Sequence, residues 1–170
     1  VVISDRPKAY ALVRAKKAGI PTSVVHLKHF PDRNAFDNKI SEIIEAHKVE
    51  LILLAGYMKI FQPSFVHRYR YKLINIHPSL LPAFPGAHAI SDTLEYQTKI
   101  SGVTVHFVDE GVDTGPIIAQ VPVPVLDDDD ESSLHQRIQA EEHQLYPTVV
   151  KWFAANLIHV ENRKVSIKSE

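Results

Sequence analysis

The residue types best suited to chemistry in this sequence are Asn75 and His77, which stand two residues apart at the end of an apolar run. Side chains alternate along a β-strand, so both would emerge on one side of a strand at residues 73–77, which Pro78 ends. An amide and a titratable imidazole placed together could stabilise an oxygen that gains negative charge. A turn-capping Asn and an ordinary edge His would have the same spacing, so the residues alone leave both interpretations open.

A second candidate is Asp113, which lies in the glycine-punctuated segment VDEGVDTGP at residues 108–116, between two β-rich runs. A fixed carboxylate beside His77 would orient the imidazole and favour its charged form. An Asp close to a Gly is also a common turn former, so a purely structural role for Asp113 stays open.

Three further polar residues lie on neighbouring predicted elements. Thr104 and His106 share one face of a strand at residues 103–108, where His106 could line the same cleft or face solvent. Glu142 follows Glu141 in a long predicted helix, and two adjacent acids in a helix usually form a solvated face.

The composition excludes several kinds of site. The chain has 170 residues, of which 45% are hydrophobic and 23% charged, and this suits one globular domain. It has no cysteine, which excludes disulfides, a thiolate nucleophile and cysteine-bound zinc. The net charge of -1 gives no reason to expect nucleic acid or a membrane surface as a partner. No signal peptide or membrane-spanning run is evident, so a cytoplasmic protein is expected.

Several familiar catalytic patterns are also missing. The ten histidines have no compact metal-ligand spacing, and neither a GxSxG elbow nor a glycine-rich nucleotide loop occurs. Chemistry without a covalent nucleophile favours direct transfer between two bound substrates.

The order of the predicted elements indicates an α/β fold. Strand and helix patterns alternate through the first half, which is typical of an open sheet whose ligands bind at the carboxyl ends of its strands. The second half has β-rich runs at residues 102–108 and 116–125, followed by a long helix that we expect to begin at a Ser133-x-x-Gln136 capping box. We therefore predict a Rossmann-like, open, mostly parallel sheet flanked by helices, with a β-hairpin-like C-terminal part and a long C-terminal helix.

Two long motifs resemble a known family. NIHPSLLPAFPGAHA at residues 75–89 and GVTVHFVDEGVDTGPIIAQ at residues 102–120 are similar to the phosphoribosylglycinamide formyltransferases of the formyltransferase family. The likeness runs from VVISDRPKAYALVRAKKAGIP at the start to EEHQLYP in the last helix. Methionyl-tRNA formyltransferases typically follow the SLLP portion with an Arg-Gly stretch, and formyltetrahydrofolate deformylases typically have a second His where Pro78 stands.

The resemblance implies a reaction of purine biosynthesis. The amine of glycinamide ribonucleotide would take the formyl group of the co-substrate 10-formyltetrahydrofolate, and no metal is expected. The family's catalytic set matches Asn75, His77 and Asp113. Asn75 and a protonated His77 would stabilise the tetrahedral oxyanion. Asp113 would keep His77 charged and help to move a proton, through water, from the amine to the leaving nitrogen.

The resemblance also implies binding residues. Lys59 stands where the family often has Arg, and ordinary strand-end packing is the alternative for the segment around it. The resemblance replaces the solvated-face interpretation of Glu142. The folate is expected at Arg33, Met58, Lys59, Ile60, Phe61, Asn75, Asp109, Glu110, Gly111, Val112 and Asp113. The ribonucleotide is expected at Gly86, His88 and Glu142.

The start of the chain departs from the family pattern. The family begins with a strand and a Gly-Asn-Gly-Ser-Asn-type turn, which holds the substrate phosphate at a helix start. Residues 1–170 are expected to be a single formyltransferase domain that lacks this strand, turn and helix, which puts ribonucleotide binding by this polypeptide in question. Its expected partners are the two small-molecule substrates, in a monomer or a homodimer.

Three other functions stay open on the sequence. A deformylase would release formate without the ribonucleotide, and Pro78 and the loop of His88 argue against it. A metal hydrolase would use His77, His88, His106 and Asp113, and the absence of ligand spacing argues against it. A non-catalytic remnant would bind folate without turnover.

Overall fold

The computed structural model describes residues 1–168, divided between two units. The first unit comprises Val1–Leu51 and Phe61–Arg68, and the second comprises Ile52–Ile60 and the chain from Tyr69 onward. No helix among residues 1–168 combines the length and the apolar character needed to cross a membrane.

The first unit contains a pair of parallel strands and three α-helices. Its elements are β1 (Val2–Ser4), α1 (Tyr10–Lys17), β2 (Thr22–Val24), a 3-10 helix (Leu27–His29), α2 (Arg33–Ala46) and α3 (Pro63–Arg68). β1 pairs in parallel with β2. The side chain of Asp32 caps α2 by accepting from the Ala35 amide at 2.8 Å, as the sequence predicts.

The second unit contains a four-stranded sheet with the order β3-β4-β5-β6. Its elements are β3 (Ile52–Leu54), β4 (Leu73–His77), α4 (Ala89–Tyr96), β5 (Ile100–Phe107), β6 (Ile117–Pro124), α5 (Glu131–Ala154), β7 (Ile158–Glu161) and β8 (Lys164–Ile167). β3 and β4 are parallel, whereas β4–β5 and β5–β6 are antiparallel. The parallel pairs therefore join strands of the first half of the chain, whereas each antiparallel pair includes a strand of the second half. The predicted α/β class, with its hairpin-like C-terminal part and long helix, is confirmed.

The start of α5 corrects one prediction. The N-cap is Asp130, three residues before the expected cap Ser133, so the helix begins at Glu131. The Asp130 carboxylate accepts from the Ser133 amide at 2.8 Å, and the Asp130 amide donates to Ser133 Oγ at 3.0 Å. Ser133 therefore belongs to a capping box, but at its third helical position.

The C-terminal hairpin of β7 and β8 was not predicted. Ile158 and Val160 alternate with polar residues, as do Val165 and Ile167 after a turn in which Asn162 has φ +53°. This alternation around an Asn is a recognisable hairpin signal.

Tyr146 of α5 joins the helix to the two parallel strands of the second unit. Its hydroxyl lies 2.8 Å from the carbonyl oxygen of Leu54 and 3.0 Å from that of Ile74, so its one proton is shared between the last residue of β3 and the second residue of β4. Burial is the main cause that raises the pKa of Tyr146, so the hydroxyl stays a donor at every physiological pH.

We expect Tyr146→Phe to lower the free energy of unfolding by about 1–2 kcal/mol, because the ring packing is kept while two strand carbonyls lose a donor. Urea denaturation measures this change. Tyr96→Phe is the matched control, since Tyr96 is 77% exposed. Equal stabilities of the two variants would contradict a structural role for the Tyr146 hydroxyl.

Candidate functional site

The antiparallel pairing of β4 and β5 assembles the polar residues that the sequence singled out. Asn75 lies opposite His106 and His77 lies opposite Thr104, so the predicted same-face pairs of the two strands are neighbours. Asn75 Nδ2 is 3.4 Å from His106 Nε2. His106 is only 2% exposed, which excludes the solvent-facing alternative.

Asp113 reaches this group from the turn between β5 and β6. Its Oδ1 lies 3.5 Å from Asn75 Nδ2 and 3.5 Å from His106 Nε2. Its Oδ2 lies 3.4 Å from His77 Nδ1 and accepts from the Gly86 amide at 2.8 Å. One carboxylate therefore contacts donors from β4, β5 and the loop that follows β4.

The backbone of Asp113 adopts an uncommon conformation to make these contacts. Its φ of +54° lies in the left-handed region, which costs a non-glycine residue about 1–3 kcal/mol. The turn is held from inside by Asp109, whose Oδ1 accepts from the Gly111 amide at 3.1 Å and from Thr114 Oγ1 at 2.6 Å. A Cβ at Gly115 would lie 1.7 Å from the Phe107 carbonyl oxygen, so only glycine fits there.

The environment of Asp113 favours its ionised form. Burial is the largest single influence and raises the pKa, but several groups oppose it. The hydrogen bond from His106, the Gly86 amide and the positive charges of His77 and His106 together hold the pKa of Asp113 below its usual value. The carboxylate is therefore charged at neutral pH.

His77 is buried between this carboxylate and a backbone carbonyl. Its Nε2 lies 2.8 Å from the Phe84 carbonyl oxygen and donates to it, while Nδ1 faces Asp113. A neutral ring in this orientation would turn a lone pair toward the carboxylate, whereas a proton on Nδ1 makes the contact attractive. The geometry therefore suits a doubly protonated His77.

A second network fixes the loop after His77. Ser79 Oγ donates to the Ala83 carbonyl at 2.6 Å. Thr104 Oγ1 donates to the Ser79 carbonyl at 2.7 Å and accepts from the Leu81 amide at 3.0 Å. Gln120 Nε2 donates to both Thr104 Oγ1 and the Leu81 carbonyl, each at 2.9 Å.

This network changes the interpretation of Thr104. Sequence reasoning placed Thr104 on the surface of the cleft, but it is fully buried and its hydroxyl serves the loop backbone. Sequence reasoning also missed Ser79 and Gln120 as loop supports. No local pattern marks them, because the Ser79 hydroxyl bonds to a backbone carbonyl, which every residue has, and the partners of Gln120 are far along the chain.

The expected ribonucleotide residues occupy different surroundings. Gly86 has φ +91° and donates its amide to Asp113. His88 is exposed and is the N-cap residue of α4. Glu142 is half-buried in α5, and burial, the main cause, raises its pKa despite the opposing charges of His135 and His143.

The expected folate residues fall in both units. In the second unit, Met58 and Ile60 are each 67% exposed after β3, Lys59 between them is half-buried, and Val112 is 49% exposed beside the exposed Glu110 and Gly111. Met58, Ile60 and Val112 therefore each present an exposed apolar side chain.

The other two expected folate residues, Arg33 and Phe61, lie in the first unit. The Arg33 guanidinium carbon is 5.9 Å from the centroid of the Phe61 ring, and Arg33 Nε is 3.2 Å from Asp37 Oδ1. Within residues 1–168, no three His, Asp or Glu side chains form a group that could hold a metal ion.

Comparison with known proteins supports the resemblance seen in the two motifs. Residues 1–150 match the family model described as formyl transferase. The chain is 44% identical over 153 residues to the phosphoribosylglycinamide formyltransferase of Mycobacterium tuberculosis, covering 90% of this chain and 71% of that protein. It is 50% identical over 147 residues to the trifunctional purine biosynthetic protein adenosine-3 of Drosophila melanogaster, covering 86% of this chain but only 11% of the fly protein.

Solved structures agree with the sequence relatives. Glycinamide ribonucleotide transformylase 1 from Symbiobacterium toebii superposes with a TM-score of 0.96 at 45% identity, covering 99% of this chain and 79% of that one. A formyltetrahydrofolate deformylase from Pseudomonas syringae is more distant, with a TM-score of 0.89 at 27% identity, covering 99% of this chain and 55% of that one. The resemblance predicted from the motifs is confirmed, and the chain belongs to the formyl transferase family.

Proposed function

We propose that this protein transfers the formyl group of 10-formyltetrahydrofolate to the amine of glycinamide ribonucleotide, in de novo purine biosynthesis. The observation that carries the proposal is the convergence of Asn75 and His77 on the Asp113 carboxylate. Relatives named phosphoribosylglycinamide formyltransferase support the substrate assignment at 41–44% identity.

The proposed chemistry is an addition followed by an elimination. The ribonucleotide amine attacks the formyl carbon, a carbon–nitrogen bond forms, and the formyl oxygen becomes an oxyanion. The Asn75 amide and the His77 ring donate to this oxygen. To do so, His77 Nε2 exchanges the Phe84 carbonyl, now 2.8 Å away, for the oxyanion. The bond to N10 of the folate then breaks, and the proton lost by the amine reaches N10.

Asp113 supplies a fixed negative charge for this reaction. Its ionised carboxylate favours the protonated form of His77, which is the form that can donate from both ring nitrogens. It can also accept the proton of the attacking amine through water and return it to N10.

The binding residues follow from the resemblance and their exposure. The folate ring contacts Met58, Ile60 and the turn at residues 109–113, and Arg33, Lys59 and Phe61 stay folate candidates on the resemblance alone. Gly86, His88 and Glu142 bind the ribonucleotide. The partners are these two small molecules, without nucleic acid, membrane or metal, in a cytoplasmic monomer or homodimer.

We expect Asp113→Asn to lower kcat for formyl transfer by about 10²–10³-fold, because the isosteric amide removes the charge that keeps His77 protonated. The assay follows loss of 10-formyltetrahydrofolate with and without glycinamide ribonucleotide. Asp127→Asn is the matched control, since Asp127 pairs with Lys99 at the surface.

The same assay separates the alternatives. Formate release without the ribonucleotide would identify a deformylase instead. Folate binding by a folded protein without turnover would indicate a non-catalytic remnant. Equal rates for the two variants would contradict the role of Asp113.

We expect Glu142→Gln to stabilise the protein at neutral pH while raising the KM for the ribonucleotide about tenfold or more. A carboxyl whose pKa is raised by folding destabilises the folded state where it is ionised, so removing the charge gains stability there. The gain vanishes below the ordinary pKa of 4.5, where the carboxyl is protonated in both the folded and unfolded states.

Thermal denaturation between pH 4 and pH 8 measures this gain, with Glu141→Gln as the control. A gain of the same size at pH 4, or an unchanged KM, would contradict the assignment of Glu142.

A further inference from the structure

The turn of the C-terminal hairpin contacts the turn that carries Asp113. Arg163 lies between β7 and β8, and its Nη2 donates to the carbonyl oxygen of Thr114 at 2.8 Å. Thr114 directly follows Asp113. A cation 50 residues further along the chain than Asp113 therefore holds the neighbouring peptide group.

We propose that Arg163 is a positioning residue for formyl transfer, which holds the Asp113 turn in its reactive conformation. The expected effect of Arg163 on the rate of formyl transfer rests on the proposed function, whereas its expected effect on the Asp113 turn rests on geometry. Arg163 touches neither His77 nor Asn75 in the hydrogen bonds described above, so its effect passes through Thr114.

The Asp113 turn needs support from outside itself. Asp113 is held at φ +54°, and such a conformation persists only where the surrounding contacts fix it. Thr114 is fixed at its side chain by Asp109 and at its carbonyl by Arg163. Both contacts are charge-assisted, but only the one from Arg163 comes from another element of the fold.

The turn between β7 and β8 is itself held in place, which fixes the backbone that carries Arg163. The hydroxyl of Tyr71 donates to the Asn162 carbonyl at 3.4 Å, and Arg70 donates to the same hydroxyl at 3.0 Å. The ring of Tyr71 packs edge-on against Phe107, with centroids 5.4 Å apart. Phe107 is the last residue of β5, so the hairpin is tied to the strand that leads into the Asp113 turn.

The test compares Arg163→Ala, Arg163→Lys and the control Lys164→Ala. Lys164 is the neighbouring exposed cation in the same hairpin, so its removal changes the charge by the same amount. Two readouts are needed: kcat and KM for formyl transfer, and hydrogen exchange of the Gly86 amide. The second requires no turnover, since Gly86 donates to Asp113 in the structure.

We expect Arg163→Ala to lower kcat about tenfold with KM for both substrates within about twofold, and to speed Gly86 exchange about tenfold. Arg163→Lys should fall between this variant and the wild type, and Lys164→Ala should match the wild type. Unchanged Gly86 exchange in Arg163→Ala, or a loss of Tm without a selective change at Gly86, would overturn the proposal. If the wild-type protein catalysed no formyl transfer, the proposed function would be wrong. The structural role of Arg163 would still be decided, because Gly86 exchange requires no turnover.

Discussion

The half-buried carboxylate of Asp113 binds two imidazoles and one backbone amide that come from three separate segments of the chain. Burial of such a charge is costly unless donors surround it, and here the donors more than repay that cost, since the pKa of Asp113 lies below its usual value. Any change that moves one of these segments therefore also changes how strongly the negative charge of Asp113, which faces His77, is stabilised.

The fold supplies this arrangement through the register of two antiparallel strands. Because Asn75 lies opposite His106, and His77 opposite Thr104, the side chains that point to one side of β4 meet those of β5. The two polar residues of β5 have different roles. Thr104 supports the loop after His77, and His106 contacts Asp113. Backbone strain at Asp113 is tolerated because the turn is fixed on several sides.

Part of this site could be predicted from the sequence. The two-residue period of a strand placed Asn75 and His77 on one side, and the glycine-punctuated turn indicated where Asp113 would lie. Local patterns could not show which residue of β5 faces Asn75, because strand register depends on contacts distant in sequence. They also could not show the Phe84 carbonyl as the partner of His77, since every residue has a carbonyl.

Other differences from the predictions have similar causes. Asp130 and Ser133 are both good caps for α5, and the choice between them depends on which side chain reaches the free amides. Thr104 was assigned to the cleft by its face of the strand, but the loop after β4 covers that position. The sequence does not indicate that Glu142 is half-buried, because an acidic residue on a helix usually faces water.

The most direct test of Asp113 as the fixed charge of the site is the titration of its carboxyl group. NMR follows the side-chain carboxyl carbon in the protein labelled with ¹³C-aspartate, and Asp113→Asn identifies the resonance. We expect a midpoint below the ordinary value of 3.8, because His77, His106 and Gly86 stabilise the charged form. A midpoint at or above 3.8 would mean that burial prevails over these donors, and would contradict Asp113 as the fixed charge of the site.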